Sequence, residues 1–98
     1  MPYQLSQLAD DDLADIIAGR AAAVGSRSAR QLYKEFLHVF DIVGENPGIG
    51  RTDSQLPPGT RVKLVESRWA VIYPEDPKGQ MVTISRVAFA NAVLADLF

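Results

Sequence analysis

The side chains in this sequence that could do chemistry are few, and most of them are cations. Arg61, Lys63, Arg68 and Arg86 fall in its second half, three of them within or beside a run that alternates basic and apolar residues. Guanidinium and ammonium groups hold phosphates and carboxylates, Arg as a planar fork and Lys as a point charge. Much of the remaining chemical repertoire is missing. With no Cys there is no thiol nucleophile, no Cys-ligated zinc and no disulfide. A single His, His38, excludes His-rich metal sites and two-histidine zinc helices. It lies off the apolar stripe of its helix and reads as solvent-exposed and functionally silent. Asp10, Asp11 and Asp12 diverge around a helix and suit its positive end rather than a metal. Gly48-x-Gly50 has no preceding strand and has Asp53 downstream, so it is no dinucleotide loop. Tyr73 reads as a core or rim tyrosine rather than an acid catalyst. No cofactor and no metal are expected.

The elements that must position these cations are legible from periodicity. Tyr3-Gln4-Leu5 alternates and predicts a short edge strand. Ala9, Leu13, Ile16, Ile17 and Val24 then recur as one helical stripe, with Ser6 as N-cap and Gly25 as terminator. Ala29, Leu32, Tyr33, Phe36, Leu37, Phe40 and Val43 form a second, broader stripe, capped by Ser26 or Ser28 and stopped by Gly44 and Asn46-Pro47. The short connection predicts an antiparallel helical hairpin. Residues 44–59, rich in Gly and Pro, predict a loop of fixed turns. Runs 60–65, 69–73 and 81–87 are β-branched or aromatic and predict a three-stranded antiparallel meander, followed by a short final helix or docked tail over 88–98. The fold class is α+β: a helical hairpin packed on an antiparallel sheet of three to four strands.

A two-residue turn at Glu66-Ser67 would oppose Val65 to Arg68, Leu64 to Trp69 and Val62 to Val71. Val62, Leu64, Trp69, Val71 and Tyr73 then face the helices, while Arg61, Lys63 and Arg68 share the opposite face with Ala70 and Ile72. Such a stripe is either the solvated face of a half-exposed sheet or a surface shown to another macromolecule. The side taken by Arg86 depends on strand register. On the helix face it would stack or pair near Trp69. An Arg61 locked in by internal carboxylates would be lost to display.

Composition bounds the rest. The chain has 98 residues, 47% of them apolar and 22% charged, which suits one domain over 1–98 with a modest core. Residues 1–49 carry four basic and seven acidic groups, residues 50–98 six basic and five acidic. A net charge of −2 excludes a globally basic nucleic-acid binder and leaves only a local basic patch. No uncharged apolar run reaches the ~18 residues of a membrane span, and the N-terminus has no signal-peptide pattern. A cytoplasmic protein with no membrane partner is expected.

The order of elements and several local words resemble the ParE/RelE superfamily of toxins from bacterial type II toxin–antitoxin modules. The words are YQLS-x-LADDDLADI opening the first helix, G-x-x-x-A-x-x-x-Y at Gly25 to Tyr33, NPGIGR (46–51), PPGTRV (57–62), RWAVIY (68–73) and MVTISRV (81–87). The resemblance covers residues 3 to 88 and is nearer the ParE branch. It implies a toxin, of the kind that stabilises plasmids and arrests growth, neutralised by a ParD-like ribbon-helix-helix antitoxin in a hetero-oligomer. Operator DNA would be reached only through that antitoxin. In the ParE branch the target is DNA gyrase. In the RelE branch the toxin is a ribosome-dependent mRNA endonuclease, for which Arg61, Lys63 and Arg86 would be the catalytic candidates. Arg61 matches the family's arginine after the Pro/Gly loop, and Arg86 that of the last strand. However, no tyrosine follows Tyr73, and VAFANAVLADLF after Arg86 lacks His and basic residues. The gyrase reading is therefore preferred, with Arg61, Lys63, Arg68 and Arg86 as target-binding candidates. The alternatives are the nuclease and a non-toxic interaction module with the same fold.

Overall fold

A computed structural model describes residues 3–75, 81–92 and 94–98. The elements are β1 (Tyr3–Leu5), α1 (Gln7–Val24), α2 (Ser26–Glu45), β2 (Arg51–Thr52), β3 (Thr60–Val65), β4 (Trp69–Pro74), β5 (Val82–Ile84) and β6 (Arg86–Phe89), with 3-10 turns at Pro47–Ile49 and Leu94–Leu97. The Ser6 hydroxyl caps α1 by accepting from Ala9 N–H at 3.1 Å. Gly25 is the whole connection between the helices. Its φ of +114° is open to glycine, and its N–H closes on the Ala21 carbonyl at 3.0 Å. Neither Ser26 nor Ser28 caps α2 as expected. The Ser28 hydroxyl accepts from Arg20 instead, so the side-chain cap gives way to a link between helices.

Each stripe is buried along most of its length, with one exposed exception. Ala9 and Leu13 are buried, and Ile16 and Ile17 pack at the rim, but Val24 is 68% exposed where α1 ends. On α2, Tyr33 likewise lies outside the core, while Leu32, Phe36, Phe40 and Val43 are fully buried.

β2, β3, β4 and β6 form an antiparallel sheet in that order. The predicted third strand is split at Ser85. Its first part, β5, pairs in parallel with β1, and its second, β6, pairs with β4. Ser85 N–H nonetheless donates to the Ile72 carbonyl at 2.8 Å, and the Ser6 hydroxyl donates to the Ser85 carbonyl at 2.8 Å. The break therefore leaves no orphaned backbone group at Ser85. β2 is a two-residue strand inside what reads from sequence as pure loop.

The β3–β4 register corrects the expected pairing. Glu66 and Ser67 both have positive φ and Arg68 N–H closes on the Val65 carbonyl at 3.1 Å, as a tight hairpin turn requires. Yet Val65 pairs with Trp69, Leu64 with Ala70 and Val62 with Ile72. Arg68 is an extra residue at the turn, a bulge whose carbonyl accepts from Ala90 N–H. One residue of slip exchanges faces. Val65, Trp69, Val71 and Tyr73 face the helices with Phe36 and Phe40, whereas Val62, Ala70 and Ile72 form a second cluster on the other face. Leu56, Leu94 and Leu97 cover that cluster, so the tail docks as a 3-10 turn. Arg61 and Lys63 consequently share a face with Val71 and Tyr73, not with Ala70 and Ile72.

Candidate functional site

The four cations separate into two pairs. Arg61 is half-buried. Its Nε donates to the Glu75 carboxylate at 2.6 Å and its Nη1 to the Gly50 carbonyl at 2.7 Å. Both contacts lock Arg61 onto the 46–51 turn and the end of β4. Arg86 is held even more completely. Nε and Nη2 meet the two Asp12 oxygens at 2.8 and 3.0 Å, and that carboxylate also accepts from Val87 N–H at 3.0 Å. The hydrogen bonds to Asp12 hold the Arg86 guanidinium more firmly charged than usual. Asp12 reads from sequence as a helix-dipole complement only, but it lies one position before Leu13 on the buried side of α1, and that placement was the available signal.

Lys63 and Arg68 stand apart. Among the described residues neither has an ion pair or a side-chain hydrogen bond. Arg68 is exposed on the turn and Lys63 half-exposed on β3. The structure does not gather the four into one stripe: Arg61 and Lys63 lie along β3, Arg68 on its terminal turn, and Arg86 across β4 against α1.

Tyr73 is fully buried. Its hydroxyl donates to the Pro47 carbonyl at 2.7 Å and accepts from Gly50 N–H at 2.9 Å. Burial pushes its pKa up, against the smaller lowering effects of the Gly50 N–H and Arg61. The NPGIGR word thereby acquires a physical reason. A Cβ on Gly50 would lie 2.6 Å from the Tyr73 hydroxyl and 2.9 Å from the Val62 carbonyl, so the turn closes over Tyr73 only as glycine. His38 is exposed, as expected.

A third network sits at the hairpin tip. Arg20 donates to Glu66 at 3.0 Å and to Ser28 at 3.1 Å. That Arg20 hydrogen bond is the main cause lowering the Glu66 pKa. A hydrogen bond to Glu66 is the main cause raising that of Glu35. Nearby, a groove of about 440 Å³ runs between the end of α1 and the Trp69–Phe89 stack, whose rings are 4.5 Å apart. Phe89 and Val24 border it and are both more than half exposed.

Among the described residues no group of His, Asp or Glu is placed to hold a metal ion, and no helix is long and apolar enough to cross a membrane. No protein-family profile matches the chain, and no curated protein matches it in sequence. Its fold is similar to that of a chain from the solved chromosomal ParDE toxin–antitoxin system of P. aeruginosa. The TM-score is 0.74 at 21% identity, over 91% of this chain and 95% of that one. The likeness is one of fold: here two helices lie on an antiparallel sheet, with a strand before the first helix and a short turn after the last strand.

Proposed function

We propose that this chain is the toxin of a type II toxin–antitoxin module, neutralised by a tightly bound antitoxin and acting on DNA gyrase rather than on mRNA. The fold similarity to a ParDE system chain, near-complete in both directions, carries the module assignment. The apolar groove beside Trp69 and Phe89 supports a partner that covers it, since exposed apolar patches rimmed by polar groups commonly mark interaction surfaces.

The choice of target rests on residue chemistry. In-line cleavage of RNA by its 2′-hydroxyl needs a base, an acid and free cations at the phosphate. Here Arg61 and Arg86 neutralise the internal carboxylates Glu75 and Asp12, and the proton of Tyr73 is donated to Pro47. Those engagements favour a protein that binds a macromolecule through Lys63 and Arg68 over one that cuts RNA. A supercoiling assay tests this. Purified protein should abolish gyrase supercoiling and accumulate cleaved DNA while transcripts in a translating extract stay intact. Unaffected supercoiling at saturation refutes the gyrase reading. Cut transcripts would establish the RelE-like nuclease instead, and harmless expression without the antitoxin would point to an interaction module.

A further inference from the structure

Trp69, the one tryptophan of the chain, carries an unpaired donor. It is only 8% exposed, and its indole N–H is sealed from solvent with no acceptor among the described residues. Burial has stripped water from that group and no bond replaces it, which native interiors seldom leave unanswered. Its ring neighbours, Phe36 at 6.5 Å and Phe89 at 4.5 Å between centroids, have no side-chain oxygen to offer.

Phe89 covers the indole as a lid does. It is the register partner of Trp69 on β6, stacks on it, and is 55% exposed. A hollow lies on each side of it. The groove of about 440 Å³ faces α1, and a second hollow of about 480 Å³ reaches Ser67, Ala90 and Asn91; the two share only Arg68 and Phe89. Turning the phenyl ring into the second hollow is a change of side-chain rotamer that breaks no backbone hydrogen bond. It would uncover Trp69 and join the two spaces.

The uncovered floor has a definite chemistry. Trp69 accepts a flat ring, as its stack with Phe89 shows, and Ile16, Ala23 and Val24 supply an apolar wall. The indole N–H calls for an oxygen acceptor. Arg68 lines both hollows without an ion pair among the described residues, and so favours an anionic one. Glu66 in the second hollow is engaged by Arg20. Asp15 is exposed on the α1 wall, where it repels an anionic head and turns it toward Arg68. The groove alone falls within the ~300–1,000 Å³ usual for small-molecule sites.

We infer that this groove is a binding site for an aromatic monocarboxylate, whose ring takes the place of Phe89 on Trp69 and whose carboxylate accepts from the indole N–H and Arg68. The inference is independent of the toxin reading. The test uses the isotope-labelled full chain, in which the single indole gives one N–H resonance. Phenylacetate should move that resonance saturably, with a Kd on the order of 1 mM, the range open to so small a ligand. The Phe89 ring resonances should shift with it, as that ring leaves the indole. Phenylacetamide, which keeps the ring and an acceptor but not the charge, should bind about tenfold more weakly. Arg68→Ala should weaken phenylacetate about tenfold and leave phenylacetamide unchanged. Phe89→Ala, with no lid to displace, should bind phenylacetate about threefold more tightly or better. An indole resonance that phenylacetate does not move overturns the site. Equal binding of acid and amide overturns the carboxylate class, and Phe89 rings that stay in place during binding overturn the lid. A resonance that moves with protein concentration alone assigns the groove to a second copy of this chain and likewise overturns the proposal.

Discussion

Asp12 on the second turn of α1 and Arg86 at the start of β6 are joined through both carboxylate oxygens, at 2.8 and 3.0 Å, across 74 residues of sequence. The same carboxylate takes Val87 N–H, so a single side chain ties the first helix to the last strand and closes the sheet edge. A pair of this kind is not an exposed surface bridge: its side chains are 22% and 18% accessible.

Removing one partner should therefore cost more than the ~0–1 kcal/mol of a surface pair. Asp12→Ala leaves a half-buried guanidinium and a backbone N–H without their acceptor, for an expected loss of about 2 kcal/mol. Asp12→Asn keeps one acceptor oxygen and should lose less. Urea unfolding of the three proteins checks the order, and faster exchange of the Val87 amide in Asp12→Ala checks the cause.

The Gly50–Tyr73 contact makes a second prediction. Gly50→Ala forces a methyl against the Tyr73 hydroxyl and the Val62 carbonyl and should destabilise by about 1–3 kcal/mol, in the range of overpacking. Tyr73→Phe leaves Gly50 N–H and the Pro47 carbonyl unsatisfied, at about 1–3 kcal/mol. Because the phenylalanine removes one of the atoms that alanine strikes, the double variant should lose clearly less than the sum of the two, which a urea-melt cycle measures directly.

Much of this fold can be read from the sequence because period and capping agree. The stripe on α2, the Ser6 cap, the Gly25 break and the strands at 60–65 and 69–74 each have local causes. What could not be read is set by single residues acting at long range. Arg68 reads as the partner of Val65 across a two-residue turn, but it is consumed as a bulge whose carbonyl serves Ala90, and that one residue reverses which face Arg61 and Lys63 share. Val24 continues a stripe by arithmetic, but the core has ended beneath it. The site suffers most, since the fate of a cation depends on whether a carboxylate arrives beside it. Glu75 and Asp12 do so only through tertiary packing, and nothing in the spacing of Arg61 and Arg86 announces them.

Acid should act on the hairpin tip through two carboxylates with opposite signs. The folded-state pKa of Glu66 is lowered below its ordinary 4.5, chiefly by Arg20, so its contribution is present above that value and lost as pH falls through the folded pKa. Glu35 is raised, chiefly by its hydrogen bond to Glu66, so it favours the fold below 4.5 and opposes it as pH rises through its folded pKa. Glu35→Gln keeps a donor without the charge. Its stability relative to the parent protein should rise as pH increases from 4 to 7, whereas Glu66→Gln should fall progressively behind over the same range. Urea titrations at each pH read both slopes.

Function should follow the cations that the fold leaves unpaired. Lys63→Ala and Arg68→Ala break no ion pair or side-chain hydrogen bond among the described residues, so each should stay within about 0.5 kcal/mol of the parent in urea, the usual range for surface substitutions. Arg61→Ala strands Glu75 and the Gly50 carbonyl and should lose about 1–3 kcal/mol. If Lys63 and Arg68 contact the target, the double variant Lys63→Ala/Arg68→Ala should need at least tenfold more protein for half-inhibition of gyrase, at unchanged stability. Raising salt should weaken the parent more than the variant, because charge contacts that approach solvent are screened within about 10 Å at 0.1 M. Equal potency and equal salt dependence would place the target surface elsewhere. The groove beside Trp69 and Phe89 is then the next surface to test, since the exposed Phe89 and Val24 border it and could bury an apolar anchor of a macromolecule.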